Sequence, residues 1–171
     1  MHARQICTAA LLVAFVSSTA FAQRQADTDA VNKVIDRYGA TDEAGDMAGQ
    51  AKLMSPDRVW ISNGIGRRTD QAANMKIQQA QSDGAAKWIP GIQWFVEDRD
   101  RLIRFYGDGS VAVASFYRYM SAVLPATTPP DLAKGFSVAP PASITLVLEK
   151  KGGEWKIVHT HMSAMDATGV K

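Results

Sequence analysis

Residues 143–163 read SITLVLEKKGGEWKIVHTHMS, and this stretch decides the fold. Two runs rich in β-branched and aliphatic residues flank Gly152-Gly153, a favourable two-residue connection for a β-hairpin. Strands are therefore expected over Ser143–Lys150 and Glu154–Met162. Pairing through that turn sets Lys151 opposite Glu154. Continued without interruption, it sets Leu148 opposite Ile157, Leu146 opposite His159 and Ile144 opposite His161. Successive side chains of a strand point to opposite faces, so His159 and His161 share one face with Ile157 and Ser163. On this register both imidazoles join an apolar face, where desolvation lowers their pKa and favours the neutral base.

Upstream of the hairpin the pattern is sheet back to about Ile92. Gln93–Tyr106 reads as one long or broken strand, Gly107-Asp108-Gly109 as a turn, and Ser110–Ala122 as its partner. Residues 123–142 hold Pro125, Pro129, Pro130, Pro140 and Pro141, too many missing amide donors for a strand, and read as a long loop of the lid or partner-contact kind. Earlier still the period becomes helical. Val31, Val34, Ile35 and Tyr38 fall on one face of a helix capped by Asp27, Thr28 or Asp29 and loosened or ended by Gly39. A short helix over Met47–Met54 is expected to stop at Ser55-Pro56-Asp57, followed by a strand over Arg58–Asn63. Asp70 can cap a third helix from Gln71 to about Gln81.

The first 22 residues read as a secretory signal peptide: Arg4 in a short n-region, an apolar run from Ile6 to Val16, and Ala20-Phe21-Ala22 as a small-x-small cleavage site. Cleavage would leave residues 23–171 as a single domain in the periplasm or outside the cell. The one cysteine, Cys7, lies inside that signal, so the mature chain is expected to have neither disulfides nor a thiolate nucleophile. The formal net charge is +2, and loss of Arg4 brings it closer to neutral. No basic run or face is present, which argues against nucleic acid or an anionic membrane as partner. The alternating Asp98-Arg99-Asp100-Arg101 reads as solvated surface.

Helices first and a curved antiparallel sheet after them define an α+β chain. The opening helix to Tyr38, Gly45-Asp46 before the second helix, Ser55-Pro56-Asp57-Arg58-Val59-Trp60 and the closing strand resemble the SnoaL-like branch of the nuclear-transport-factor-two-like superfamily, from about Asp27 to Ser163. The closing Trp155, Val158, His159, His161, Ser163 pattern is also similar to the end of the calcium/calmodulin-dependent kinase II association domain. The resemblance implies a cone-shaped domain with the sheet wrapped around the N-terminal helices, a small-molecule pocket at its open end, and a homodimer formed through the sheet's outer surface. That kinase domain carries arginines on its pocket strands; the matching positions are read here as Tyr117 and Leu146. The steroid-isomerase pairing of a tyrosine and an acid with a pocket aspartate finds only Asp57 and Asp98 as candidates, each with a surface explanation.

The candidate site is therefore His159 or His161 as general acid or base, with Tyr117 or Tyr38 polarising an oxygen. Trp60, Trp94, Tyr119, Ile144 and Leu146 are expected to wall the pocket beside Tyr38. A small apolar or aromatic carbonyl compound would suit it, turned over by isomerase or lyase chemistry without a cofactor. His-x-His supplies only two metal donors, so no metal site is expected. The competing reading is a non-catalytic, oligomeric association or accessory module.

Overall fold

The computed structural model describes residues 3–62, 67–135 and 141–165, with side chains from Ala22 onward. Helix α1 spans Ala3–Ala44 and α2 Met47–Ala51; strands β1 and β2 follow at Met54–Ser62 and Arg67–Arg68, and α3 at Gln71–Trp88. Strands β3 (Gln93–Tyr106) and β4 (Val111–Val123), the short helix α4 (Pro130–Gly135), and strands β5 (Ala142–Lys151) and β6 (Glu154–Ala164) complete the chain. One six-stranded sheet runs in the order β2-β1-β6-β5-β4-β3. The mixed α+β architecture is the expected one, with the helices on one face of an open sheet. A single junction departs from an all-antiparallel sheet, because β1 lies parallel to β6.

The core lies between α1 and the inner sheet face. Val31, Ile35 and Tyr38 from α1 are buried against Ala112, Ala114 and Phe116 of β4, Ile144, Leu146 and Leu148 of β5, and Trp155 and Ile157 of β6. These positions step by two along each strand and by three or four along the helix, as the two geometries require. Two expectations about α1 change. The helix is already under way at Asp27, whose carboxylate serves the tertiary structure by accepting from Lys150 Nζ at 2.6 Å and Trp155 Nε1 at 3.4 Å. It also runs through Gly39 to Ala44. Gly39 faces the sheet, where a Cβ would make ordinary van der Waals contact with Val96 Cγ1 at 3.4 Å and Arg118 Nη2 at 3.7 Å.

Helix α2 is shorter than expected, capped by Asp46, and residues 54–57 belong to β1 instead of stopping the helix. Pro56 lacks an amide donor, and the β1–β6 register shifts between Met54 and Val59 across it. Asp70 caps α3 as expected, accepting from Ala73 N at 2.9 Å, but the helix continues past Gln81 to Trp88. Helix α4 occupies part of the proline-rich stretch, with Pro130 at its first position, where a missing donor costs nothing. Expectations for residues 63–66 and 136–140 lie outside the described residues.

The closing hairpin carries the main correction. Gly152 and Gly153 both have positive φ, 60° and 86°, and pair Lys151 with Glu154 and Leu148 with Ile157 as read from the sequence. One residue later the register slips. Val147 faces His159, Leu146 faces Thr160 and Ile144 faces Met162, which leaves Val158 as the extra residue of a β-bulge. Because the side-chain period of a strand is two, that single insertion moves every later side chain to the other face. Thr160 and Met162 turn inward, and His159 and His161 turn outward beside Val147 and Thr145. A second irregularity, between Arg99 and Leu102 with Asp100 at φ 56°, does the same for β3: Trp94, Val96 and Asp98 face inward before it, Ile103 and Phe105 after it.

Candidate functional site

Beyond the packed end of the core, the helices and the inner sheet face part to leave a cavity of about 480 Å³. Tyr38 and Asp42 of α1 and Met47 of α2 line one side. Trp60 and Ser62 of β1, Arg68 of β2, Trp94 of β3, Arg118 and Met120 of β4 and Met162 of β6 line the sheet side, and Gln78, Gln81, Ser82 and Ala85 of α3 complete the wall. The lining is chiefly apolar, with a few convergent polar groups, as small-molecule sites usually are.

Polar chemistry concentrates where α1 meets β3 and β4. Arg118 is 4% exposed and Asp98 2% exposed, and they form a bidentate pair: Nε donates to Asp98 Oδ1 at 2.8 Å and Nη2 to Oδ2 at 2.8 Å. Arg118 Nη1 donates to Asp42 Oδ2 at 2.5 Å, and Gln50 Nε2 donates to the other Asp42 oxygen. The guanidinium also stacks over the Tyr38 ring, 4.4 Å from its centroid. Burial pushes the Asp42 carboxyl above its ordinary pKa, and the charge of Arg118 and the Gln50 hydrogen bond only partly reverse this. Burial, reinforced by the Asp42 charge, pushes the Tyr38 phenol up, so it keeps its proton. Burial acts to lower the pKa of Arg118, but its hydrogen bonds to Asp98 and the Asp42 charge outweigh it and leave Arg118 firmly protonated.

A second buried arginine lies on β1. Arg58 is 1% exposed; its Nε donates to Thr160 Oγ1 at 3.0 Å, and Nη1 donates to Gln71 Oε1 at 3.2 Å and meets Met54 Sδ at 2.8 Å. Burial lowers its pKa, opposed by Tyr38 and Asp42. Arg58 explains the inward turn of Thr160: a buried guanidinium needs acceptors, and the hydroxyl provides one where an outward Thr160 could not.

Of the residues expected at the site, Tyr38, Trp60 and Trp94 do line the cavity. Ile144 and Leu146 lie in the filled core. Tyr117, 39% exposed, is on the outer sheet face, as is Tyr119, over whose ring Arg99 sits at 4.5 Å. His159 and His161 are outside the cavity lining, because the Val158 bulge turns them away. Partial burial lowers the His159 pKa, helped by the charges of His161 and Arg58. Asp57 is 79% exposed, as its surface reading required; Arg99 and Asp100 are exposed as expected, but Asp98 is buried and paired, which corrects the solvated reading at that position. The pocket-strand arginine is Arg118, one position beyond Tyr117 and therefore on the opposite face. Among the described residues no group of three His, Cys, Asp or Glu is placed to hold a metal ion, and no helix is long and apolar enough to cross a membrane.

An open sheet curled over an N-terminal helix, with a cavity between sheet and helices, defines a nuclear-transport-factor-two-like, cystatin-like fold. The family model of the SnoaL-like domain matches residues 31–167, and the chain belongs to that family. Among solved structures, it is similar to a nuclear-transport-factor-two-like protein with a cystatin-like fold from Novosphingobium aromaticivorans, with TM-score 0.68, 16% identity, and 90% of this chain and 92% of that one covered. A nuclear-transport-factor-two-like superfamily protein from Salmonella enterica gives TM-score 0.64 at 20% identity, covering 85% and 96%. A putative scytalone dehydratase from Novosphingobium aromaticivorans gives 0.63 at 12% identity, covering 83% and 86%. At these identities the likeness is one of fold. No curated protein sequence matches the chain.

Proposed function

We propose that the protein binds a small, largely apolar or aromatic carbonyl compound in this cavity and acts on it as an isomerase or lyase through Asp42 and Tyr38. The observation that carries this reading is an apolar cavity that ends on a buried carboxylate and a buried phenol. Asp42, raised by burial, is a base suited to removing a proton from carbon next to a carbonyl. Tyr38, held protonated, can donate a hydrogen bond to the carbonyl oxygen as negative charge develops there. Arg118 fixes the Asp42 carboxylate, and the proton taken by Asp42 returns at another carbon in an isomerisation or leaves with a hydroxyl as water in an elimination. This reading transfers the acid–base role from His159, His161 and Tyr117, which face away from the cavity, to Asp42 and Tyr38. It is supported by membership of the SnoaL-like family and by the fold that this chain shares with a putative scytalone dehydratase.

The test is to purify the full chain, identify any retained small molecule by mass spectrometry, and measure its turnover by the wild type, Asp42→Asn and Tyr38→Phe. Loss of turnover with binding kept supports the reading. Unchanged turnover in Asp42→Asn sinks it.

A second reading concerns assembly and export. The outer sheet face carries Phe95, Leu102, Tyr106 and Tyr117, all large and at least 39% exposed, and we propose that it pairs two copies of the chain. A strictly monomeric sedimentation profile at micromolar concentration would exclude this and the non-catalytic association module with it. The proposed signal peptide, and with it a periplasmic or secreted location, is checked by the N-terminal sequence of exported protein, expected to begin at Gln23.

A further inference from the structure

The charged side chains that line the cavity are Asp42, Arg68 and Arg118, so the lining itself holds one cation in excess. Asp42 is held by Arg118 and Gln50, and Asp98 by Arg118 with Arg101 at 3.8 Å. On the opposite wall Arg68 lines the cavity with no carboxylate partner among the described residues. Its Nη1 donates to Asn74 Oδ1 at 3.0 Å, and its guanidinium lies over the Trp60 ring, 5.1 Å from the centroid. Asp70, two residues along the chain, uses its carboxylate to cap α3 through Ala73 N.

The neighbouring groups are donors as well. Asn74 is 2% exposed, and its Nδ2 has no acceptor among the described residues. The amide orientation follows from Arg68: a guanidinium has only donors, so Asn74 must turn its oxygen toward Arg68 and leave its NH₂ unpaired. Flipping the amide would set donor against donor. Arg58, buried behind the same wall and bonded to Gln71 one helical turn before Asn74, adds another cation without a carboxylate in salt-bridge range. Neither Asn74 nor Arg58 lines the cavity, so of these donors the Arg68 guanidinium is the one a ligand there can meet, and an oxygen anion is the group that suits it.

We propose that Arg68, positioned by Asn74 and Trp60, anchors a carboxylate of the ligand, so that the cavity selects an aromatic or apolar acid over its neutral counterpart. The proposal rests on the cavity being the binding site. Trp60 lies beneath the guanidinium, whose fork can offer two parallel N–H groups to two carboxylate oxygens. The ring of the ligand would then extend from Trp60 toward Trp94 and the methionines, with its far end toward Asp42 and Tyr38.

Titration calorimetry with 2-naphthoate and 2-naphthamide, probes alike in shape and different in charge, tests the assignment on the full chain. The wild type should bind the acid at least about tenfold more tightly than the amide, the worth of a charge-assisted hydrogen bond. Arg68→Gln should remove that preference, weakening the acid far more than the amide, and Arg68→Lys, which keeps the charge but not the fork, should retain part of it. Thermal melts of both variants establish that they are folded. Equal binding of acid and amide to the wild type overturns the anion anchor while leaving the cavity as a binding site, and so does an acid preference that survives Arg68→Gln. Binding of neither probe at millimolar concentration counts against the cavity itself, and the anchor falls with it.

Discussion

Arg118 offers the most severe test of how this site is held. Replacing it with Met keeps most of the side-chain length and its contact with the Tyr38 ring, and removes the cation shared by Asp98 and Asp42. Asp98 would remain 2% exposed with its bidentate partner gone, and Asp42 would keep only Gln50. Removing one member of a buried ion pair costs about 3–5 kcal/mol, because the other charge stays desolvated. A domain of this size is stable by roughly 5–15 kcal/mol, so the loss is a large share of the whole and corresponds to a fall in Tm of roughly 10 °C.

The pH dependence supplies a second, independent reading of the same change. Without Arg118, the burial that already raises the Asp42 carboxyl acts with less opposition. The native state then binds more protons, and the variant gains stability as pH falls. The gap between wild type and Arg118→Met, measured by urea unfolding followed by circular dichroism, should therefore narrow from pH 7 to pH 5. Adding Asp42→Asn and Asp98→Asn to Arg118→Met should recover much of the loss, since neither carboxylate is then left buried without its cation. A loss under about 1 kcal/mol, or a gap that stays constant with pH, would refute the claim that these carboxylates are buried and held by Arg118.

Three further outcomes are expected. Thr160→Val keeps the shape of the side chain but leaves Arg58 Nε without its acceptor, and should cost about 1–3 kcal/mol by denaturant unfolding; a neutral result would mean that the inward turn of β6 is misplaced. Asp27 has its pKa lowered chiefly by the Lys150 hydrogen bond, so its contribution is present above the ordinary carboxylate range and lost as pH falls through the lowered value. Asp27→Asn should accordingly cost roughly 1–2 kcal/mol at pH 7 and flatten the acid limb of the stability profile, which a pH series of thermal melts will reveal. His159 titrates below its ordinary value of 6.5, so the unfolded chain takes up the proton first and stability falls as pH drops through that window. Proton NMR should place the His159 transition below that of a free imidazole, and His159→Gln should remove this slope.

Much of the fold was legible because its periods are clean. The helix face of Val31, Ile35 and Tyr38, the strand pair around Gly107-Asp108-Gly109 and the Gly152-Gly153 hairpin each combine one hydrophobic period with a turn or packing constraint that agrees with it. Part of the site is legible by the same rule. Asp42 continues the 31, 35, 38 face by one more turn once the helix is allowed through Gly39. Arg118 stands in phase with Ala112, Ala114 and Phe116, so a charge falls where the alternation calls for a core residue. A charged residue in phase with an apolar face is a signal of a buried partner or a site, and both possibilities hold here.

The histidines could not have been placed the same way. Their face depends on whether the β5–β6 ladder runs unbroken for ten residues, and no turn residue announces the bulge at Val158. Its cause is distant in sequence: Arg58, more than a hundred residues earlier in the chain, needs an inward acceptor, and Thr160 can supply one only if the register slips. An unbroken ladder would turn Thr160 outward and bring two imidazoles inward, where they would compete with Arg58 for the same acceptors while adding donors of their own. The cheaper arrangement is a single unpaired strand residue. It places a hydroxyl beneath the cavity and two titratable rings on the opposite face, and so decides which side chains a ligand can meet.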